Sequence, residues 1–191
     1  SNLNDISSAI KKFLKNKVKK KNIILLHCNS AYPTPLEDAN LNVLLSLKKK
    51  FNLQIGFSDH TQGIIASLAA VSMGAEFIEK HFTLNRNLPG PDHKTSINPK
   101  ELIEMVSQIR KIEKLKGKFI KKPTKSELKN IKVVRKSIVA IRNIKIGEKF
   151  TKQNIFVKRP STGISPMFFN KLLGKKSKKF YQLDEKITEK I

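Results

Sequence analysis

Residues 53–82 read LQIGFSDHTQGIIASLAAVSMGAEFIEKHF, and this stretch decides the fold. Leu53 to Phe57 is a short apolar run, the pattern of a strand buried on both faces of a parallel sheet. Thr61 to Gly74 is rich in Ala and Ile and closes on a glycine, as a helix with a C-terminal stop does. Glu76 to Phe82 predicts the next strand. Strand, helix and strand within roughly 30 residues make one βαβ unit.

The same grammar continues on both sides. Upstream, Asn22-Ile23-Ile24-Leu25-Leu26-His27-Cys28 is another continuous apolar run. Thr34-Pro35-Leu36-Glu37 combines a capping residue, a proline and a glutamate, and predicts the start of a helix carrying Leu41, Leu44, Leu45 and Leu47 inward. Before the lysine-rich loop 15–21, Leu3, Ile6, Ile10, Phe13 and Leu14 recur at helical spacing over residues 3–15. Downstream, a polar loop (83–98) contains Pro89-Gly90-Pro91-Asp92. Asn98-Pro99-Lys100-Glu101 then repeats the cap signature and opens a helix with Leu102, Ile103, Val106, Ile109 and Leu115, which Gly117 ends. One helix followed by three βα units predicts a parallel sheet. Three strands are few for a sheet covered on both faces, so residues 1–117 are expected to belong to a larger βα array.

The pattern changes at Lys118. Residues 118–130, basic and containing Pro123, read as a linker. Residues 131–191 hold two predicted short strands, Val133 to Ala140 and Asn154 to Val157, punctuated by Gly147, Gly163 and Gly174. They predict a small β-rich domain near the lower size limit for independent folding.

Composition narrows the function classes. Thirty-nine Lys+Arg against 15 Asp+Glu leave a formal charge of +24 in 191 residues. Nucleic acid, anionic membrane and anionic substrate are the partners such charge suits. The basic residues are mostly lysines spread through every segment, whereas an RNA-binding face clusters arginine with exposed aromatics. Nucleic acid is therefore not the expected partner. Cys28 stands alone, so this chain forms no internal disulfide, which fits a reducing compartment. No apolar run approaches the roughly 20 residues of a membrane span. Ser1-Asn2-Leu3-Asn4-Asp5 does not read as a signal peptide. The expectation is a cytoplasmic protein with no membrane partner.

The chemistry is expected at the strand ends. His60 follows the second strand in Ser58-Asp59-His60, and His81 closes the third in Glu79-Lys80-His81-Phe82, 21 positions later. One βα unit therefore separates them, and consecutive strands of such an array lie side by side at about 4.8 Å. Both imidazoles would stand at the C-terminal rim, where these sheets build active sites. Either they share one divalent metal in an open site suited to Lewis-acid catalysis, or each is a hydrogen-bonded rim residue. Asp59 either orients His60 or caps the following helix. His27 and His93 are weaker candidates, and Cys28 is expected to behave as a small hydrophobe. Asn29-Ser30-Ala31-Tyr32 offers polar donors after the first strand.

Five motifs together are specific. LLHCNSAYPTPLEDANL, GFSDHTQGI and IEKHFTLNRNLPGPDHKTS resemble the sialic acid synthase family in wording and order. RKSIVAIRNIKIGEKFT and VKRPSTGISP resemble its antifreeze-like (SAF) domain. The resemblance implies a TIM barrel joined by a linker to a SAF domain, with strands six to eight present here. A full barrel takes roughly 250 residues, so strands one to five are expected outside this chain. It implies condensation of phosphoenolpyruvate with an N-acetylated hexose such as N-acetylmannosamine. It also implies a divalent metal, usually manganese (magnesium or cobalt being alternatives), held by His60 and His81. Asn29, Ser30 and Ser58 match positions near phosphoenolpyruvate. Tyr32, Glu79 and Asp92 match positions around the sugar and the reacting centre, with Glu79 and Asp92 in the catalytic set. Arg159 matches the SAF arginine that reaches the sugar's N-acetyl group across a domain-swapped homodimer. Synthases of legionaminic or pseudaminic acid are the near alternatives. An inactive fragment or a polyanion-binding module are the distant ones.

Overall fold

The computed structural model describes residues 1–188. The chain divides into two compact units, Ser1–Lys118 and Phe119–Ile191.

The first unit contains α1 (Leu3–Lys15), β1 (Ile24–Cys28), α2 (Asn42–Phe51), β2 (Gln54–Asp59), α3 (Ile65–Ser72), β3 (Phe77–Lys80) and α4 (Pro99–Lys116). The strands form a parallel sheet in the order β1-β2-β3, as the alternating pattern predicts. Leu44 and Leu47 of α2, Ile55 and Phe57 of β2, and Ala66 and Ala70 of α3 fill the core, and Ile6 and Ile10 of α1 pack against it. Gly56 sits where β2 passes between its neighbours. A Cβ there would lie 2.8 Å from the Phe77 backbone oxygen and 3.1 Å from Leu26 Cγ, so only glycine fits without displacing a strand.

Of the two capping boxes predicted in this unit, one forms. Asn98 and Glu101 form a capping box at the start of α4, with Pro99 in its first turn. The corresponding box at Thr34 does not form. The Thr34 backbone N–H, which Glu37 would have to meet, donates to the His60 carbonyl at 2.9 Å instead, and the Thr34 hydroxyl donates to the Ala31 carbonyl at 2.7 Å. A short 3-10 turn, Leu36–Ala39, precedes α2 instead, and α2 ends on Asn52 in the left-handed region. Two elements are shorter than predicted. α3 begins at Ile65, not Thr61, and β3 stops at Lys80, with Phe82 making only an isolated bridge to Ile97.

The second unit contains α5 (Lys125–Val134), β4 (Ser137–Ala140), β5 (Ile155–Lys158) and the single turn α6 (Phe169–Leu172). The predicted linker 118–130 is therefore half helix. Thr124 and Glu127 form a capping box that starts α5. The predicted strand at Val133 is also corrected, because Val133 and Val134 are the last turn of α5 and the strand begins only at Ser137. β4 and β5 pair antiparallel, and bridges at Val139–Lys186, Ile144–Tyr181 and Lys149–Lys176 close the unit. Ile138, Ile144, Phe150, Ile155, Leu172, Tyr181 and Ile187 form its buried core.

Candidate active site

The parallel register sets the geometry. Cys28, Ser58 and Glu79 stand in one row across the three strands, with Asp59 beside Lys80 one step further on. Side chains alternate along a strand, so Ser58 and Glu79 share a face, and Ser58 Oγ donates to Glu79 Oε1 at 2.6 Å. The chain then runs past the strand ends into His60 and His81. Their rings meet edge to face, with centroids 5.0 Å apart at 90°. The Tyr32 ring completes the cluster, 4.3 Å from His81 and 5.2 Å from His60.

Hydrogen bonds orient this cluster. His60 Nδ1 lies 2.8 Å from the Asn29 carbonyl, and a carbonyl only accepts, so Nδ1 carries the proton and Nε2 presents a lone pair. The Asn29 side chain is engaged locally, accepting from the Ala31 N–H at 2.8 Å. Tyr32 donates to the Asp92 carbonyl at 3.2 Å and meets Ser96 Oγ at 3.1 Å. His81 Nδ1 faces Asp92 Oδ2 at 3.6 Å, beyond direct hydrogen-bond length. The loop bearing Asp92 is tied down at both ends. The Ile97 N–H donates to the His81 carbonyl, and Arg86 grips both oxygens of Glu101 at 2.8 and 2.6 Å while its Nε reaches the Ser96 carbonyl. The Arg86 guanidinium, and then the Asn98 N–H, hold the Glu101 carboxyl below its ordinary value.

The structure thus brings together Asn29, Tyr32, Ser58, His60, Glu79, His81 and Asp92. Ser30 lies exposed on the same loop as Asn29. Arg159 belongs to the second unit, where its Nε donates to the Val134 carbonyl. His27 donates through Nε2 to the Ala39 carbonyl at 2.9 Å and ties β1 to the following turn. His93 meets Thr83 Oγ1 at 2.8 Å. Asp59 does not cap α3, whose N-cap is Ile64 with no side-chain cap bond; its Oδ1 accepts from the Thr61 N–H and hydroxyl and closes the turn after β2. Sequence reasoning missed Lys80, which is buried and ion-paired with Asp59 at 3.0 Å. It also missed Ser96. The only sequence signal for Lys80 was a lysine inside an apolar strand directly before a candidate histidine.

Two facing imidazoles, one fixed in the tautomer that frees Nε2, fit a divalent metal. Among the described residues, no group of three or more His, Cys, Asp or Glu gathers in a metal-holding arrangement. A cavity of about 500 Å³ lined by Lys20, Lys21, Lys48, Gln54 and Glu76 lies at the opposite ends of the strands and contains none of these residues. Among the described residues, no helix is long and apolar enough to cross a membrane.

Comparison with known proteins places this geometry. The chain is 51% identical over 189 residues to the N,N'-diacetyllegionaminic acid synthase of Campylobacter jejuni, covering 99% of this chain and 57% of that protein. It is 40% identical over 171 residues to the pseudaminic acid synthase of the same species, covering 90% of this chain and 50% of that one. The crystal structure of the N-acetylneuraminic acid synthetase of Leptospira borgpetersenii matches with a TM-score of 0.63 at 42% identity, over 69% of this chain and 45% of that one. The chain thus spans about half the length of the curated relatives it matches. Residues 135–188 match the SAF domain. Residues 1–121 match the NeuB family, and with these relatives beside it the chain belongs to that family, the family of the sialic, legionaminic and pseudaminic acid synthases.

Proposed function

We propose that this chain forms the last three βα units of a barrel and the SAF domain of a nonulosonic acid synthase. The reaction is condensation of phosphoenolpyruvate with an N-acetylated hexose and water, releasing phosphate. The observation that carries this reading is the His60–His81 pair at the ends of adjacent parallel strands, with rings 5.0 Å apart.

His60 and His81 would hold the divalent metal, manganese in the first place, and such a metal supplies Lewis-acid polarisation of the sugar's aldehyde. In the reaction the enol carbon of phosphoenolpyruvate attacks that aldehyde carbon. Water adds at the former enol carbon, and C–O cleavage expels phosphate. Ser58 and the Asn29–Ser30 loop bind the phosphoenolpyruvate side. Tyr32 packs against both imidazoles and borders the sugar with Asp92. Glu79, its carboxylate oriented by Ser58 Oγ, takes the proton from the attacking water. Arg159 reaches the sugar's acetamide from the SAF domain of the other subunit in a homodimer. The 51% identity to a diacetyllegionaminic acid synthase favours a di-N-acetylated hexose over N-acetylmannosamine. Phosphate release measured with each sugar decides between them.

The central test is replacement of both histidines. In the intact protein, His60→Ala with His81→Ala is expected to abolish bound manganese and reduce turnover to background. Unchanged metal content in that double variant would sink the reading.

A further inference from the structure

The buried pair Asp59–Lys80 sits one residue before the two candidate ligands, and we propose that it is a positioning device that fixes the separation of His60 and His81. This inference rests on the two-histidine reading above. Asp59 and Lys80 are register partners in the β2–β3 ladder, and each directly precedes one of the histidines. Their side chains meet at 3.0 Å and are 0% and 4% exposed.

The three donors of the lysine ammonium all have partners at the end of β2. One meets Asp59 Oδ2, one the Thr61 carbonyl at 2.8 Å and one the Asp59 carbonyl at 3.4 Å. Lys80 therefore holds both neighbours of His60 in the chain. Asp59 is itself fixed by Thr61 at Oδ1 and by Ser67 of α3 at Oδ2, which anchors the strand end to the helix behind it. Alternation places Asp59 and Lys80 on the face opposite Ser58 and Glu79. The pair touches no reacting group, so its action on the site is through the backbone.

A buried ion pair is weak grounds for stability, since apolar replacements are often as stable. What it supplies is fixed geometry at a point where two strands end and no further ladder bond sets their spacing. Partners behind the ligands of a metal typically change its affinity by about 10–100-fold.

The test separates positioning from folding. Asp59→Asn with Lys80→Met removes both charges together, so neither is left buried and unpaired. In the intact protein this double variant is expected to unfold near the wild-type temperature. It should bind Mn2+ about 10–100-fold more weakly and lose the nuclear Overhauser contact between the His60 and His81 rings in the metal-free state. If the double variant shows no folding transition, Lys80→Arg, which keeps the charge paired with Asp59 and alters its reach, carries the same two measurements. Leu44→Ala, which loosens the same core and leaves the ion pair in place, is expected to keep wild-type Mn2+ affinity; an equal loss there would assign the effect to general loosening and overturn the proposal. Wild-type affinity together with an intact ring contact in the charge-free variant overturns it too. A wild-type protein that fails to bind Mn2+, while the ring contact still depends on Lys80, would remove the metal reading and leave the positioning role standing.

Discussion

The two units solve burial in opposite ways. In the second, Ile138, Ile144, Ile155, Tyr181 and Ile187 are sealed from solvent by strands, bridges and turns that return on themselves. In the first, only β2 is buried along its length; β1 and β3 are half-exposed, and Ile24 and Phe77 face solvent. The candidate site lies at the rim of that open sheet. A parallel sheet buries a strand only when it has neighbours on both sides and helices on both faces. The unit that holds the candidate site therefore depends on surroundings, whereas the small unit depends on its own side chains.

The largest consequence concerns the 191 residues expressed alone. Open strand edges and exposed apolar side chains promote association. The isolated chain is expected to sediment as oligomers and to release no phosphate from phosphoenolpyruvate and sugar. A monomeric, active chain would break the contrast between the units.

Core truncation is the next largest effect. Leu172 is 1% exposed in the second unit, and Leu172→Ala is expected to lower that unit's stability by about 2–5 kcal/mol. Ile24→Ala on the open edge of β1, already 40% exposed, should cost much less. Urea unfolding of both variants, followed by a probe in each unit, makes the comparison. Equal losses would mean that β1 is covered in solution.

The sequence showed much of this, and its failures have physical causes. Asn98–Glu101, Thr124–Glu127 and Thr34–Glu37 share one capping pattern, yet only the first two form boxes. Thr34 fails because its backbone N–H, which Glu37 would have to meet, donates to the His60 carbonyl, a tertiary bond that no local pattern encodes. Thr124 was hidden by its surroundings, since Pro123 and flanking lysines gave a helix the composition of a linker. His60 and His81 were legible because strand-end position follows directly from the βα repeat. Lys80 was not: among 39 basic residues one more lysine looks like surface, and only the register opposite Asp59 shows that it is buried.

Arg159 ranks below the core substitutions. Its side chain is exposed, and among the described residues its hydrogen bond runs from Nε to the Val134 carbonyl, which leaves the terminal guanidinium nitrogens for a ligand. In the intact protein Arg159→Ala is expected to weaken sugar use by about 1.5–3 kcal/mol in kcat/KM, the worth of a charge-assisted hydrogen bond. Phosphoenolpyruvate binding and metal content should not change. Unaltered sugar kinetics would reduce Arg159 to surface charge and leave the second unit without a part in the reaction.

The smallest expected effect is a pH dependence confined to the second unit. Glu148 accepts from the Lys145 N–H at 3.0 Å, pairs with Arg142 at 2.6 Å and receives the Asn154 amide at 3.2 Å. The Lys145 hydrogen bond, and then Arg142, lower its carboxyl from 4.5 to about 2. Asn154 is itself buried, and its amide also reaches the Lys149 carbonyl, so Glu148 helps hold the turn that leads into β5. A carboxyl whose folded value lies below its unfolded one stabilises the fold above the unfolded value. That contribution is whole above about pH 4.5, declines as pH falls toward 2 and is gone below it. Glu148→Gln keeps an oxygen acceptor but removes the charge, so the gap in melting temperature between wild type and variant should be constant near neutrality and close as pH falls from 4.5 to 2. Because the carboxylate is partly open to solvent, the gap is expected to be small and to shrink with added salt. A gap that persists unchanged to pH 2 would show that Glu148 acts through shape and not through charge.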